Sequence, residues 1–282
     1  MTSQMQALIA PFAGEELLRL LRVRAVAFHR ASDRREQTHV LDVDALLGLI
    51  ASGAVAPKKL RITRQEQAVP PPLYYENGAP SIARIARLLD SGASVIAQGI
   101  DASVPALAAL CAELRAATGE EIGMGAILTA GDGGALDFHF DRSDIVIRHL
   151  AGAKRWRMFA PTVPNPIREM PLGPPPSDAA PVLDEILRPG DLLFVPAGYW
   201  HRCENGPGRS LHVGIHFTPP TPWHAFRALL ERAMANEDFR LPLTRHADAG
   251  ARAAQEARIK QVLIGEIERT PLAALREPPG ED

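Results

Sequence analysis

Several features are scarce in this 282-residue chain, and each scarcity excludes a class of protein. Its only two cysteines, Cys111 and Cys203, are too few for a disulfide framework and lack the paired spacing of a zinc site. No apolar run approaches the ~18 residues that would span a membrane. The net charge of −2 provides no basic surface for DNA or RNA, so we expect no direct nucleic-acid partner.

The first residues also lack the features of a secretion signal. Residues 1–16 contain no basic cluster and too short an apolar run, so we expect a cytoplasmic protein in a reducing compartment. Lysine is scarce as well: only Lys58, Lys59, Lys154 and Lys260 stand among the 31 basic residues. The apolar fraction of 46% is nevertheless sufficient for a buried core.

The residue patterns divide the chain into three parts. Residues 1–120 alternate helical and extended patterns, and residues 219–282 are mostly helical, with helices predicted at 223–235 and 251–269. Residues 121–218 consist of short alternating runs separated by glycine and proline turns, which is typical of an antiparallel sandwich or barrel. The predicted strands of this middle part are 122–128, 138–141, 144–150, 154–159, 191–195 and 210–217.

The sequence His139-Phe140-Asp141 carries the first chemical pattern. Alternate residues of a strand share a face, so His139 and Asp141 point the same way while Phe138 and Phe140 pack on the other side. A histidine and a carboxylate are two thirds of the facial triad that holds non-haem Fe(II). A second His-x-Asp, at His246 and Asp248, lies in a polar stretch, and we interpret it as surface.

A second pattern supplies a third metal ligand. Gly190, Pro196, Gly198, His201 and Asn205 match the second cupin motif, G-x5-P-x-G-x2-H-x3-N, residue for residue. We therefore predict a metal site formed by His139, Asp141 and His201. Three ligands on one octahedral face leave three positions for a bidentate co-substrate and dioxygen, which indicates iron and 2-oxoglutarate.

These motifs, together with Gly152-Ala-Lys154-Arg-Trp156, resemble the JmjC family of 2-oxoglutarate oxygenases, most closely its ribosomal-oxygenase (cupin-4-like) branch. The resemblance covers roughly residues 10–240. It implies a mainly β fold, a double-stranded β-helix (jelly-roll) core with helical elements on either side. It also implies that Lys154 pairs with the far carboxylate of 2-oxoglutarate, with Ser210 and Thr129 as further cofactor contacts.

The implied activity is hydroxylation of an amino-acid side chain in a protein or peptide, with release of succinate and CO2. The cofactors would be Fe(II), 2-oxoglutarate as co-substrate, and O2. By similarity, the C-terminal helices would form a homodimer.

The sequence also departs from the relatives, which often carry Asn and Tyr where Gly125 and Ile127 stand. This departure leaves two alternatives open: a hydroxylase of a small molecule or carrier-bound intermediate, and a non-catalytic cupin that binds a partner. In the last strand, Ser210, His212, Gly214 and His216 share one face, which suits a cavity wall. We expect the two histidines there, and His149, to be wall residues.

Overall fold

A computed structural model of the chain describes residues 8–32, 41–131, 136–243 apart from 168, 172 and 178, and 248–270. The chain divides into two units, Met1–Thr218 and Pro219–Asp282. All residues of the candidate site lie within the first unit. The division of that unit at residue 120 stays a prediction.

The N-terminal part of the first unit contains four α-helices and six short strands among its described residues. The helices are α1 (Glu15–Val23), α2 (Val43–Ala51), α3 (Ile82–Asp90) and α4 (Pro105–Thr118). The strands are β1 (Ala27–His29), β2 (Leu60–Arg64), β3 (Gln67–Ala68), β4 (Tyr75–Glu76), β5 (Ala79–Pro80) and β6 (Ser94–Gln98). Local sequence fixes the helix ends: the Asp42 carboxylate accepts from the Ala45 N–H at the start of α2, and Gly119 ends α4 in the left-handed conformation.

The remaining strands of the first unit follow α4. They are β7 (Glu121–Ala130), β8 (Asp144–Ala151), β9 (Lys154–Phe159), β10 (Leu183–Leu187), β11 (Leu192–Val195), β12 (Trp200–Asn205) and β13 (Arg209–Thr218). Eight strands form the major sheet in the order β1-β11-β8-β13-β7-β6-β2-β3, with every pair antiparallel. A minor antiparallel sheet has the order β10-β9-β12.

The two faces of the major sheet have different partners. On one face, alternate residues such as Met124, Ala126 and Leu128 of β7 are buried in one cluster with α1 to α4 residues, for example Leu46 and Ile85. The other face looks toward the minor sheet. Apolar residues of both sheets meet there in a second cluster: Ile145, Ile147, Leu193 and Val195 with Trp156, Met158 and Leu187. This arrangement confirms the predicted β-rich jelly-roll core with helical decoration.

The prediction and the structure differ at three strands of the middle part. Residues 138–141 form one isolated bridge, His139 to His201, instead of a strand. Strands β10 and β12 were not predicted. Strand β10 follows a proline-rich segment and lies at a sheet edge, so its alternation is weak, and β12 carries polar and charged residues over most of its length.

The second unit contains three helices among its described residues: α5 (Pro222–Ala233), α6 (Glu237–Arg240) and α7 (Ala249–Arg269). Thr221 and His224 form a capping box at the start of α5, and the Asp248 carboxylate accepts from the Ala251 N–H at the start of α7. Among the helices of the described residues, none has the length and apolarity needed to cross a membrane.

Candidate metal centre

His139, Asp141 and His201 lie together at one end of the minor sheet. One ligand atom from each lies within 4.8 Å of the others, and His201 Nε2 is 3.5 Å from Asp141 Oδ2. Two backbone hydrogen bonds join His139 and His201: His139 N–H to the His201 carbonyl at 3.2 Å, and the reverse bond at 2.7 Å. This single bridge therefore fixes the spacing between the two histidines, although residues 138–141 do not form a strand beyond it.

Each of the two histidines is oriented by a backbone carbonyl. His139 Nδ1 is 2.5 Å from the Asp137 carbonyl oxygen, and His201 Nδ1 is 3.2 Å from that of Tyr199. A carbonyl only accepts, so Nδ1 carries the proton in both rings and Nε2 keeps its lone pair free. The pair thus presents the tautomer that a metal ligand requires.

The aromatic residues beside His139 pack away from the site, as predicted. Phe138 contacts Phe159 and Trp200, with ring centroids 5.2 and 5.1 Å apart, and Phe140 meets the edge of Trp200 at 5.1 Å. On the site side, Trp156 stacks on the His201 ring at 5.5 Å. Aromatic side chains therefore pack on both sides of the cluster: Phe138 and Phe140 on one side and Trp156 on the other.

The three residues differ in exposure. The His201 side chain is 5% exposed, whereas that of Asp141 is 33% exposed. Burial, reinforced by neighbouring His139, lowers the pKa of His201 to about 4, so this ring is neutral at physiological pH. Two imidazole Nε2 atoms and one carboxylate suit a divalent cation, and the exposed side of Asp141 leaves room for further ligands.

A cavity of about 170 Å³ adjoins the cluster, and all three residues form part of its wall. The minor sheet contributes Lys154 and Trp156 from β9 and Cys203 from β12. Burial raises the pKa of Cys203 to about 12, so this wall residue stays a thiol. Apolar side chains from β8 and β11 line the same space: Ile145, Ile147 and Val195.

The major sheet contributes a floor that follows the strand register. Directly paired residues form one row across five neighbouring strands: Arg61, Ile96, Ile127, His212 and His149. The adjacent row contains Gln98, Gly125, Gly214 and Ile147. All of these except His149 line the cavity. Two glycines face each other in the middle of the floor, and the Gln98 amide lies over Gly125.

Lys154 is the buried cation of the site. The residue is 1% exposed, and its Nζ donates to Thr129 Oγ1 at 2.8 Å. Burial lowers the pKa of this ammonium to about 8. Since no carboxylate of the described residues pairs with Lys154, its charge is available to an anion in the cavity.

Thr129 contacts Lys154, and neither Thr129 nor Ser210 is among the described residues that line the cavity. They are paired in register on β7 and β13, and Thr129 is the hydrogen-bond acceptor for Lys154. The Ser210 hydroxyl donates to the Asn205 side-chain oxygen, and Asn205 in turn donates to the Gly131, Gly206 and Gly208 carbonyls. In the structure, the Thr129 hydroxyl contacts the lysine directly, and the Ser210 hydroxyl holds Asn205, which is paired with Lys154 on the adjoining strand.

Of the three histidines predicted to be wall residues, His212 and His216 line the cavity and His149 of β8 does not; His149 and His212 are buried and His216 is half-buried. Burial, together with the nearby Lys154, lowers the pKa of His149 to about 4 and that of His212 well below its ordinary value. The two rings stack with centroids 6.4 Å apart. His216 lines the cavity and contacts Ser143 at 3.0 Å. The lowered pKa values make all three rings neutral at physiological pH.

Sequence reasoning missed several wall residues. Arg61 and Gln98 lie on β2 and β6, whose place beside β7 depends on non-local pairing. Trp156 and Cys203 could have been found, because each stands two residues from a predicted site residue on the same strand. In the second His-x-Asp motif, His246 lies outside the described residues, and Asp248 is the exposed residue that caps α7.

The fold and this site define the first unit as a double-stranded β-helix whose cavity wall contains a candidate metal-ligand cluster and a buried lysine. Residues 110–224 match the family model of the JmjC domain. That match confirms the resemblance predicted from the motifs.

The similar curated proteins are ribosomal oxygenases. Ribosomal oxygenase 2 of Rattus norvegicus is 35% identical over 107 residues, which is 37% of this chain and 23% of that protein. Ribosomal oxygenase 1 of Homo sapiens is 34% identical over 119 residues, 38% of this chain and 18% of that protein. The chain thus spans less than a quarter of the length of these relatives.

Solved structures of YcfD, a ribosomal oxygenase from Escherichia coli, share the fold. One, in complex with cobalt and 2-oxoglutarate, gives a TM-score of 0.55 at 16% identity, covering 88% of this chain and 65% of that chain. Another gives a TM-score of 0.57 at 16% identity, with 90% and 67% coverage. At this identity, the likeness concerns the fold alone.

Proposed function

We propose that the protein is an Fe(II)- and 2-oxoglutarate-dependent oxygenase. The observation that carries the proposal is the convergence of His139, Asp141 and His201 with both Nδ1 atoms already bonded to carbonyls. Two Nε2 atoms and one carboxylate oxygen then remain for the metal, which is the donor set of the two-histidine, one-carboxylate iron sites. A YcfD structure in complex with cobalt and 2-oxoglutarate supports the same pairing of metal and co-substrate.

The chain's own residues would bind and orient 2-oxoglutarate. Lys154 supplies a buried positive charge for the distal carboxylate, and Thr129 holds that ammonium in place. Ser210, predicted as a second contact, would act through Asn205 as the structure has it. The apolar wall formed by Ile145, Ile147 and Val195 would exclude bulk water. When bound, iron with dioxygen supplies the oxidative decarboxylation to succinate and CO2 and the hydroxylation of a C–H bond.

We propose an amino-acid side chain of a protein or peptide as the hydroxylated group. The names of the relatives support this substrate class: several are ribosomal oxygenases, and NO66 of Drosophila willistoni is described as a bifunctional lysine-specific demethylase and histidyl-hydroxylase. The partial exposure of Asp141 gives a side chain access to the metal. Gly125 and Ile127, which depart from the relatives, favour the alternative of a small-molecule or carrier-bound substrate.

An absorption experiment tests the metal site. Under anaerobic conditions, Fe(II) and 2-oxoglutarate should together produce a visible metal-to-ligand charge-transfer band. The band should disappear in His139→Ala and persist in His246→Ala, which removes the histidine of the other His-x-Asp motif. A protein that shows no band, or a His139→Ala variant that retains it, contradicts the proposal and revives the non-catalytic binding module.

A mass-spectrometric comparison tests the substrate class. Proteomes and small-molecule extracts from a deletion strain and its parent should differ by a protein modification with the mass of one oxygen atom. A difference confined to small molecules favours the alternative substrate.

We also propose a cytoplasmic homodimer formed through the C-terminal helices. Four large apolar side chains of the second unit, at α5 or just after it, are 46–52% exposed: Trp223, Phe226, Leu230 and Met234. Their spacing of three or four residues gives one stripe along the helix, here called the α5 stripe. An exposed apolar stripe of this kind favours association with a second copy.

A further inference from the structure

Two neighbouring positions on the cavity floor lack polar side chains, and each has a polar partner on an adjoining strand. Gly125 is paired directly with Gln98 of β6, and Ile127 is paired directly with His212 of β13. All four residues line the cavity. Polar groups are therefore present on both sides of β7, although β7 itself carries none at these two positions.

The Gln98 amide occupies the space of a side chain at position 125. A Cβ atom built on Gly125 would lie 2.3 Å from Gln98 Oε1 and 2.8 Å from its Cδ. Such distances are far inside van der Waals contact, so a side chain at 125 and the present Gln98 conformation exclude each other. The glutamine thus covers the glycine and presents its amide at the same point of the floor.

His212 carries a buried polar atom that no described residue satisfies. The residue is 4% exposed, and its Nδ1 has no hydrogen-bond partner among the described residues. An unsatisfied buried polar atom destabilises the folded protein, and a hydrogen bond from a ligand in the cavity would remove that penalty. Trp156 meets the His212 ring edge-on at 5.5 Å and also stacks on His201, so His212 lies next to the metal-ligand wall.

The geometry points to Gln98 and His212 as the residues that hydrogen-bond the 2-oxo acid held between the metal ligands and Lys154. The inference rests on the proposed function and adds two binding residues to it. Lys154 provides charge for one end of the ligand, whereas a neutral imidazole and an amide provide directional hydrogen bonds along its length. Both residues act from strands that adjoin β7 and replace polar groups on β7 itself.

Calorimetric titration of 2-oxoglutarate into the Mn(II)-loaded full-length protein measures these contacts without turnover. Gln98→Ala should raise the Kd about tenfold, as expected for the loss of one hydrogen bond to the ligand. Gln67→Ala, which removes an exposed glutamine of β3, is the matched control and should leave the Kd unchanged. His212→Leu should raise the Kd about tenfold or more, whereas His212→Asn, which keeps a polar atom near the Nδ1 position, should recover most of the affinity.

A position exchange tests the steric relation. Gly125→Asn alone should raise the Kd because its side chain collides with Gln98. In the Gln98→Ala background, the same substitution should bring the Kd back to within about threefold of the wild-type value. Thermal unfolding of each variant separates weak binding from loss of fold.

The outcomes distinguish this inference from the proposed function. Wild-type protein that binds no 2-oxoglutarate overturns both. Wild-type binding with unchanged affinity in Gln98→Ala and His212→Leu overturns the inference alone, as does a Gly125→Asn effect that is the same in both backgrounds.

Discussion

At the scale of single residues, the buried charge of Lys154 destabilises the folded protein and provides a binding group for an anion. Its ammonium is almost fully buried, with one hydrogen bond to Thr129 and no carboxylate partner among the described residues. The fall of its pKa from 10.5 to about 8 corresponds to about 3 kcal/mol of unfavourable burial. The hydrogen bond to the uncharged Thr129 hydroxyl does not offset this cost, so we infer that the lysine is kept because it binds a ligand.

Replacing this lysine by methionine should stabilise the fold. Lys154→Met keeps the volume and removes the charge, so the free energy of unfolding at pH 7 should rise by about 2 kcal/mol, while 2-oxoglutarate binding is lost. Urea denaturation measures the first effect and calorimetry the second. Lys58→Met, at an exposed position, is the control and should change neither.

The same lysine gives the stability a defined pH dependence. Because the folded-state pKa of Lys154 lies below its unfolded value of 10.5, the unfolded chain binds more protons between about pH 8 and 10.5. This residue's contribution to stability is therefore least favourable below about pH 8 and improves as the pH rises through that window. A Lys154→Met variant that is less stable than wild type at pH 7 would show that the ammonium is not a net cost.

The affinity for 2-oxoglutarate should fall above about pH 8. The protonated lysine binds the dicarboxylate, so the Kd of the Mn(II)-loaded protein should be constant from pH 6.5 to 7.5 and rise by up to about tenfold per pH unit above about 8. The neighbouring groups do not titrate in this range, since burial places the pKa of His149 at about 4, that of His212 well below its ordinary value and that of Cys203 at about 12.

A shorter ligand provides the control for this titration. 2-Oxobutyrate has the same 2-oxo acid group without a distal carboxylate, so its weaker binding should show no comparable loss between pH 7.5 and 9. A flat profile for 2-oxoglutarate up to pH 9 would show that Lys154 does not bind the distal carboxylate in its charged form.

At the scale of elements, the tight turn between β8 and β9 sets the position of Lys154. Gly152 has a φ of +69°, and a Cβ atom there would lie 2.2 Å from the Arg209 carbonyl oxygen. Gly53 has a similar φ of +74°, but no atom lies within 4 Å of its would-be Cβ. A side chain at Gly53 would therefore meet only backbone strain, whereas one at Gly152 would meet both backbone strain and a steric collision.

Alanine at these two glycines should have unequal costs. Gly53→Ala should lower the free energy of unfolding by about 1–2 kcal/mol, because alanine disfavours the left-handed backbone. Gly152→Ala must also displace a neighbouring strand, so we expect a loss of at least about 3 kcal/mol. Urea denaturation of both variants at pH 7 checks the difference. Equal losses of stability would mean that the β13 backbone moves aside freely at this turn.

The elements of the site differ in how far the sequence predicts them. His139, Asp141 and His201 could be identified because local motifs carry them, even though the strand predicted at 138–141 is one bridge. Gln98 could not be identified, because its contact with Gly125 depends on the pairing of β6 with β7 across an intervening helix. Local alternation indicates which residues share a face of one strand, but not which strand lies beside it.

At the scale of the whole molecule, the α5 stripe bears on oligomeric state. Within the second unit, α5 buries Ala225 and Leu229, while the stripe residues Trp223, Phe226, Leu230 and Met234 remain about half exposed. Burying apolar side chains of this size away from water is favourable, and a twofold pairing of identical stripes is the simplest way to bury them.

We therefore expect light scattering to report about twice the 30.5 kDa mass of the chain at micromolar concentration. Leu230→Asp places a charge in the stripe and should shift the protein to the monomer, because an unpaired carboxylate is costly at an apolar interface. Leu243→Asp, at a site in the same unit that is 76% exposed and outside the stripe, should leave the mass unchanged. A monomeric wild-type protein, or a dimer that survives Leu230→Asp, would show that the stripe is not the dimer contact.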